Sequence, residues 1–400
     1  MVTLFMTVGT GSGPDREERM RNLAHGLAHG IHYHRPEEVI FFGSAESEPM
    51  VPLIRDCLKI NRGMDLPPVT WIQLRNIDSF SDCFEQISDE IKRRPDEDIR
   101  IDYTSGTKTM TMSAAIASML HRKELTVISG RRGENGLVGQ GTETITQQSL
   151  YLAYNDILRE TANAEFNAYR FESAKATMRK MVAVDDKNHL MQIFDAYSLW
   201  DRFDHKGAAG ILAGSSDTRF SVNKGFIKQL VETDGLPYKY RMILADLLNN
   251  AGRRIEEGKY DDATGRLYRA VELITQIRLL EYDLDDINGS IRLEKLKGKV
   301  DREYFAYCEP KADGERRLRI GVREKFHLLQ ALGWTRARTC YEALADDLQQ
   351  RNSSILAHGM TPVTRESAMT FYGKVHDLAL QACGPNEMEP LLKRAVFTKL

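Results

Sequence analysis

The sequence predicts an α/β domain built on a mostly parallel sheet, followed by an all-α half. Over the first 150 residues, short apolar runs rich in β-branched and aromatic residues alternate with stretches of helical spacing. Past about Asp156 the strand signals fade and nearly every segment reads as helix. Two polar, glycine-bearing loops follow apolar runs at like ends, as at the carboxyl edge of an open sheet.

Taken in order, Val2–Val8, Val39–Phe42, Val69–Leu74, Ile99–Tyr103, Leu125–Ile128 and Leu150–Tyr154 read as strands. Each is short and bounded by Gly, Pro, Ser or charged residues. Between them, Asp15–Ile31, Met50–Ile60, Ser79–Arg93 and Thr109–His121 have helical spacing, so the sheet is expected to be covered on both faces. Ser129–Gly136 carries turn residues and reads as a hairpin-like excursion at the sheet edge.

In the helical part, Ala162–Val184, Leu190–Phe203 and Ala208–Leu212 are amphipathic segments, and Asp234-Gly-Leu-Pro237 punctuates the chain before a longer pattern. The predicted division is therefore 1–155, 156–235 and 236–400. The clearest helix starts at Asp262, with Ala263, Leu267, Ala270, Val271, Ile274 and Ile277 on one stripe.

Composition narrows the function. The 400 residues carry 55 Lys+Arg against 57 Asp+Glu, a net charge of −2, which excludes a generic polyanion binder. Cations are locally in excess between Arg292 and Lys325, where eleven Lys/Arg meet seven Asp/Glu. No apolar run approaches the ~18–20 residues that span a bilayer, and no charged leader precedes an apolar stretch, so the expectation is a soluble, cytoplasmic protein. Five scattered cysteines without a CxxC pair fit a reducing compartment.

Five clusters could carry chemistry. Thr7-Val-Gly-Thr-Gly-Ser-Gly13 follows the first strand, where glycines let backbone N–H groups approach phosphate, but Pro14 stands where a dinucleotide fingerprint needs its third glycine. Asp102-Tyr-Thr-Ser-Gly-Thr-Lys-Thr109 offers hydroxyls, a glycine and a lysine for ribose and phosphodiester oxygens. Thr107 between Gly106 and Lys108 separates it from a Walker A loop. A third loop, Gly43–Ser47, would lie beside these two.

Near the other end, Arg351 and His358 stand seven positions apart in a region that reads as helical, two turns on one face. An arginine fork for phosphate, the polar Asn352 and an imidazole that moves protons near neutral pH are the parts of a metal-independent RNA cleavage site. His25 and His29 have an i, i+4 spacing that can hold a transition metal, yet no HExxH-type carboxylate accompanies them and no metal is expected.

The TxGTG-like first loop and the D-x-T-x-G-T-K-x-M loop from Asp102 to Met110 resemble the CARF domain of CRISPR-associated proteins. Gly130–Gly136, Leu247–Ala251, Gly258–Ala263 and Arg266–Ala270 resemble one CRISPR-associated branch of that group, and Arg351-Asn…His358-Gly resembles the R-x(4–6)-H signature of HEPN ribonucleases. The resemblance implies a type III CRISPR ancillary effector in antiviral defence: a Rossmann-like CARF sensor over 1–155, a helical linker over 156–235 and a HEPN-like ribonuclease over 236–400.

It also implies that the CARF half, as a homodimer, binds a cyclic oligoadenylate, an allosteric activator rather than a cofactor. The activator site would use Thr10, Gly11, Ser12, Ser44, Thr104, Ser105, Gly106, Thr107 and Lys108. Paired HEPN halves would cleave single-stranded RNA with Arg351, Asn352 and His358. The competing reading is a cyclic-oligoadenylate regulator or ring nuclease with an inert helical half, acting through Lys108, Thr104 and Ser105. A nucleotide-cofactor enzyme is a third.

Overall fold

The computed structural model describes residues 1–11, 15–131, 138, 141–182, 184–284, 290–357 and 359–400. Ser12 and His358, two of the expected site residues, and most of the 130–136 segment lie outside them. The chain divides into two compact units, Met1–Ile157 and Leu158–Leu400.

The first unit holds β1 (Val2–Val8), α1 (Arg16–His34), β2 (Glu38–Gly43), α2 (Met50–Arg62), β3 (Val69–Gln73), α3 (Phe80–Lys92), β4 (Asp98–Asp102), α4 (Lys108–His121), β5 (Glu124–Ser129) and β6 (Thr144–Gln148). The sheet order is β3-β2-β1-β4-β5-β6, parallel except for β6, which pairs antiparallel with β5. Six of the seven β1 residues are buried because the strand lies between two helical layers. Alternation sends Leu4, Met6 and Val8 into one core with α1 and α2, while Phe5 joins Ile99, Ile101, Ile87 and Ala114 of β4, α3 and α4 on the other face.

One predicted strand is corrected. Leu150–Tyr154 does not form a strand: Tyr151 opens α5 (Tyr151–Asn167), and the sixth strand is Thr144–Gln148. The helix wins because its apolar period continues through the buried Leu158, Ala162 and Phe166.

The second unit continues with α6 (Phe171–Arg179), α7 (Lys187–Asp201), α8 (His205–Ala213), α9 (Ser221–Glu232), α10 (Leu236–Glu256), α11 (Tyr260–Glu281), α12 (Arg302–Cys308), α13 (Val322–Ala331), α14 (Ala337–Asn352), α15 (Arg365–Cys383) and α16 (Pro385–Arg394). The predicted helix Ala162–Val184 is two helices, parted at Tyr169, whose φ is +62°. This unit is mostly helical; its exception among the described residues is a two-stranded ribbon of β7 (Ser290–Arg292) and β8 (Arg317–Arg319).

An aromatic core of Phe166, Phe194, Tyr197, Trp200 and Phe226 receives Phe397 from the last residues of the chain. Buried Asn223 fastens that segment, donating to Val396 O at 2.8 Å and accepting from Thr398 N at 2.9 Å. The punctuation near residue 235 falls between α9 and α10, inside this unit. There, buried Asp201 of α7 accepts from Arg253 Nε at 2.8 Å and Arg254 Nη2 at 2.7 Å of α10. No helix among the described residues is long and apolar enough to cross a membrane.

Candidate functional site

In the first unit the chain leaves β1 toward α1 and β2 on one side, while β4 lies on the other. This reversal of strand order parts the β1 and β4 loops at the carboxyl edge of the sheet, where open α/β sheets bind ligands. Met6 pairs with Asp102, so the two loops start side by side. They touch through glycines: a Cβ on Gly9 would meet Gly106 Cα at 3.0 Å. Gly106, at φ +117°, lies in the region that favours glycine.

The hydroxyls of the β4 loop are already engaged. Ser105 Oγ accepts from Gly9 N at 2.9 Å, Thr7 Oγ1 donates to Ser105 O, and Thr104 Oγ1 accepts from Ile128 N at 2.8 Å. Thr107 caps α4, accepting from Met110 N at 3.2 Å and donating to Ile77 O at 2.9 Å. Beyond this scaffold Lys108 is exposed and forms no ion pair among the described residues, and Thr10 and Gly11 border the same edge. In the β2 loop, Ser44 N donates to Ser47 Oγ at 3.0 Å, a turn that leaves Ser44 half-buried.

Beneath the β4 loop sits Asp102, fully buried. Its Oδ1 accepts from Thr104 N at 2.9 Å, while Oδ2 has no hydrogen-bond partner among the described residues and lies where a Cβ on Gly30 would come within 2.8 Å. Burial pushes its carboxyl up to about 6, against the lowering effect of the Thr104 hydrogen bond.

The two helix N-termini at this edge differ. Asp15 caps α1 by accepting from Glu17 N and Glu18 N, and the first turn is acidic. The first turn of α4 has no acidic residue and carries Lys108. An anion is favoured at α4 and opposed at α1. The histidines of α1 are paired otherwise: His25 Nε2 meets Glu143 Oε1 at 2.8 Å, and His29 Nδ1 meets Arg62 Nη2 at 2.9 Å. Burial and the Arg62 charge lower the pKa of His29.

In the second unit Arg351 lies in the last turn of α14, with its guanidinium carbon 4.2 Å from the ring centre of Tyr268 on α11. Arg351 Nη1 donates to Asn352 Oδ1 at 3.2 Å, and no carboxylate pairs with it among the described residues. The flat stack orients the fork while leaving donors for an anion. Burial and Glu272 push the Tyr268 phenol up, and Arg351 opposes them.

The expectation that Arg351 and His358 share one helix face is corrected by where α14 stops. The helix ends at Asn352 and residues 353–357 turn, with Ser353 Oγ donating back to Gln349 O at 3.3 Å and Thr361 N donating to Ser353 O at 3.0 Å. The Asn-Ser-Ser run offers local side-chain bonds that compete with the helix ladder. Tyr268 was missed because it read as one more position of the α11 helix; its place in the Arg266–Ala270 motif was the available signal.

Comparison with known proteins follows the same division. Residues 154–234 match the Csm6 6H domain family, and residues 232–381 match the Csm6 HEPN domain family. A solved structure, Enterococcus italicus Csm6 bound to cyclic hexa-2′-fluoro-hexa-dAMP, is 14% identical, with 99% of this chain and 98% of that chain covered at a TM-score of 0.71. Can2 from Sulfobacillus thermosulfidooxidans, in complex with cyclic tetra-adenylate, is 12% identical over 57% of this chain and 68% of that chain, at a TM-score of 0.26 too low to add to the fold. No curated protein matches. An α/β unit with these switch-point loops, followed by a Csm6 6H and a Csm6 HEPN domain, places the chain among the type III CRISPR CARF-HEPN proteins.

Proposed function

We propose that the protein is a CRISPR effector whose α/β unit binds a cyclic oligoadenylate, and that this binding activates cleavage of single-stranded RNA by the HEPN domain. The observation that carries the sensor half is the α4 N-terminus. It combines an exposed Lys108 that meets no carboxylate among the described residues with a first turn free of acidic residues, at a switch point where the neighbouring loop backbones are in contact. Lys108, Thr10 and the backbone of Gly11 and Gly106 contact the phosphates and riboses. Thr104, Ser105 and Thr107 mainly hold the loop in shape, and Ser12 and Ser44 supply further hydroxyls to the ligand.

In the HEPN domain, Arg351 stabilises charge on the non-bridging oxygens as the RNA 2′-OH attacks the adjacent phosphorus. Asn352 orients the phosphate or the guanidinium, and His358 transfers the proton. The products are a 2′,3′-cyclic phosphate and a 5′-OH, and the reaction uses no metal.

The active form is a homodimer. Ile355, Leu356 and Met360, 63%, 54% and 85% exposed, flank Arg351 as an apolar surface that a second copy would cover. That pairing brings a second Arg351 into one groove. Cyclic oligoadenylate activates by binding more tightly to the dimer in which the HEPN helices are aligned, and it shifts the population by that affinity ratio.

The test is a titration of RNA cleavage with cyclic oligoadenylates of three to six residues, starting from six. Stimulation by one ring size that is lost in His358→Ala supports the reading. Stimulation that survives His358→Ala, or no response to any ring, overturns it. Loss of the cyclic ligand itself, without RNA cleavage, would identify a ring nuclease instead.

A further inference from the structure

A cavity in the HEPN domain has no part in the chemistry above. It is an open cleft of about 780 Å³ between α12, α13 and α14, lined by three tyrosines and by Arg323 and Arg338, with Asp301, Glu303 and Glu342 among them. Tyr304 and Tyr307 present rings 5.8 Å apart and tilted by 46°. Tyr341 is backed by buried Phe326 at 5.8 Å, which itself stacks on Trp334, so its plane is fixed from behind. Apolar closure would have covered Tyr307, yet it is 51% exposed; one face of its ring carries Lys311 Nζ at 3.6 Å from the ring centre, which places a cation beside any base stacked on that tyrosine.

The charges are arranged around the rings. Arg323 is exposed and meets no carboxylate among the described residues. Arg338 spends its Nε on Glu342 at 2.8 Å, which leaves its terminal nitrogens aimed elsewhere. Glu303 is exposed and also unpaired among the described residues. Flat rings, forks for phosphate and a carboxylate that accepts from an exocyclic amino group are the parts that hold one nucleotide with its base unstacked.

We propose that this cavity is a second RNA-binding site, taking one unpaired, amino-bearing base of single-stranded RNA onto Tyr307 and Tyr341, with the flanking phosphates on Arg323 and Arg338. Arg338 and Arg351 stand thirteen residues apart on α14, so the cavity lies about 20 Å along the helix from the cleavage residue. The strand is thereby held a few nucleotides from the bond that breaks. The inference rests on the ribonuclease reading for the identity of the strand, but its test does not depend on cleavage.

The probe is a short fluorescein-labelled 2′-O-methyl RNA, which cannot be cut by 2′-OH attack, titrated onto the full chain and followed by anisotropy. Tyr307→Ala is expected to weaken binding about tenfold while Tyr307→Phe retains it. Arg323→Ala should lower the slope of log K against log salt by about one, a change that a purely structural residue would not make. Wild-type affinity and salt slope in both Tyr307→Ala and Arg323→Ala overturn the site, as does adenosine monophosphate binding as tightly as the RNA, which would make it a free-nucleotide site. If those variants weaken binding but ordinary RNA is never cut, the ribonuclease reading falls and this site stands. If cutting occurs with wild-type affinity in both variants, the reverse holds.

Discussion

Asp102→Asn isolates a balance of two buried groups in the α/β unit. Asp102 has its carboxyl raised from 3.8 to about 6 by burial, so between those values the folded state binds more protons than the unfolded chain, and this group destabilises the fold as pH rises. His34 does the opposite. It is 4% exposed, its Nε2 lies 3.1 Å from Thr126 Oγ1, and burial, with help from the Arg100 charge, lowers it from 6.5 to about 4. Its stabilising effect is therefore lost as pH falls through that window. At ~1.4 kcal/mol per pH unit of displacement, each group moves stability by about 2–3 kcal/mol between pH 6.5 and 4, in opposite directions. The wild-type sheet should be nearly flat in pH as far as this pair is concerned.

Asparagine keeps an oxygen for Thr104 N and cannot titrate. Asp102→Asn should then lose about 2–3 kcal/mol on acidification relative to wild type, while His34→Gln should gain a similar amount. Hydrogen exchange of β1 and β4 peptides in the full chain, corrected for intrinsic rates at each pH, reads this directly. Parallel pH profiles for wild type and Asp102→Asn would refute the argument that Asp102 resists ionisation in the fold.

Three further outcomes are expected. Lys108→Ala should weaken activator binding about tenfold, measured by calorimetry, while RNA cleavage at saturating activator stays at the wild-type rate; an unchanged affinity removes Lys108 from the site. Arg351→Ala should lower kcat for RNA by about 10²–10³-fold with activator affinity retained, since it removes a donor to the developing charge; undiminished kcat would separate Arg351 from the chemistry. Asp201→Ala removes the carboxylate shared by Arg253 and Arg254, 3% and 8% exposed, and leaves them Asp246 at 3.8 Å and Glu257 at 2.8 Å, so it should destabilise the helical unit by about 2–3 kcal/mol in denaturant titration; a loss below about 1 kcal/mol would mean that the remaining carboxylates and water replace it.

What was legible in the sequence follows from which signals are local. The central β1 and β2 were readable because both their faces are buried, which forces near-continuous apolar runs such as Val39–Phe42, and the half-buried edge strand β3 because Val69, Trp71 and Ile72 still mark it. β6 was not: at the sheet edge Thr144-Ile-Thr-Gln-Gln148 is mostly exposed or half-buried, so its one apolar residue could not compete with the Leu150–Tyr154 run six residues on. The switch-point loops were legible as glycine and hydroxyl clusters, but not which of their hydroxyls the fold uses internally. A serine left at the surface and one that accepts from Gly9 N have the same letter, and only the fold separates them. The same limit applies at Arg351. Its spacing to His358 is a count along the chain, whereas its orientation is set by Tyr268, more than eighty positions earlier, across the α11 and α14 packing. Residues that act by contact with solvent-borne ligands leave a composition signal, and residues that aim them leave only a place in a helix that reads as core. The positioning half of a site is thus the half that sequence reasoning loses, and Tyr268 is where that loss is testable: Tyr268→Phe keeps the ring under Arg351 and should preserve cleavage, while Tyr268→Ala should lower kcat by about tenfold without changing activator affinity.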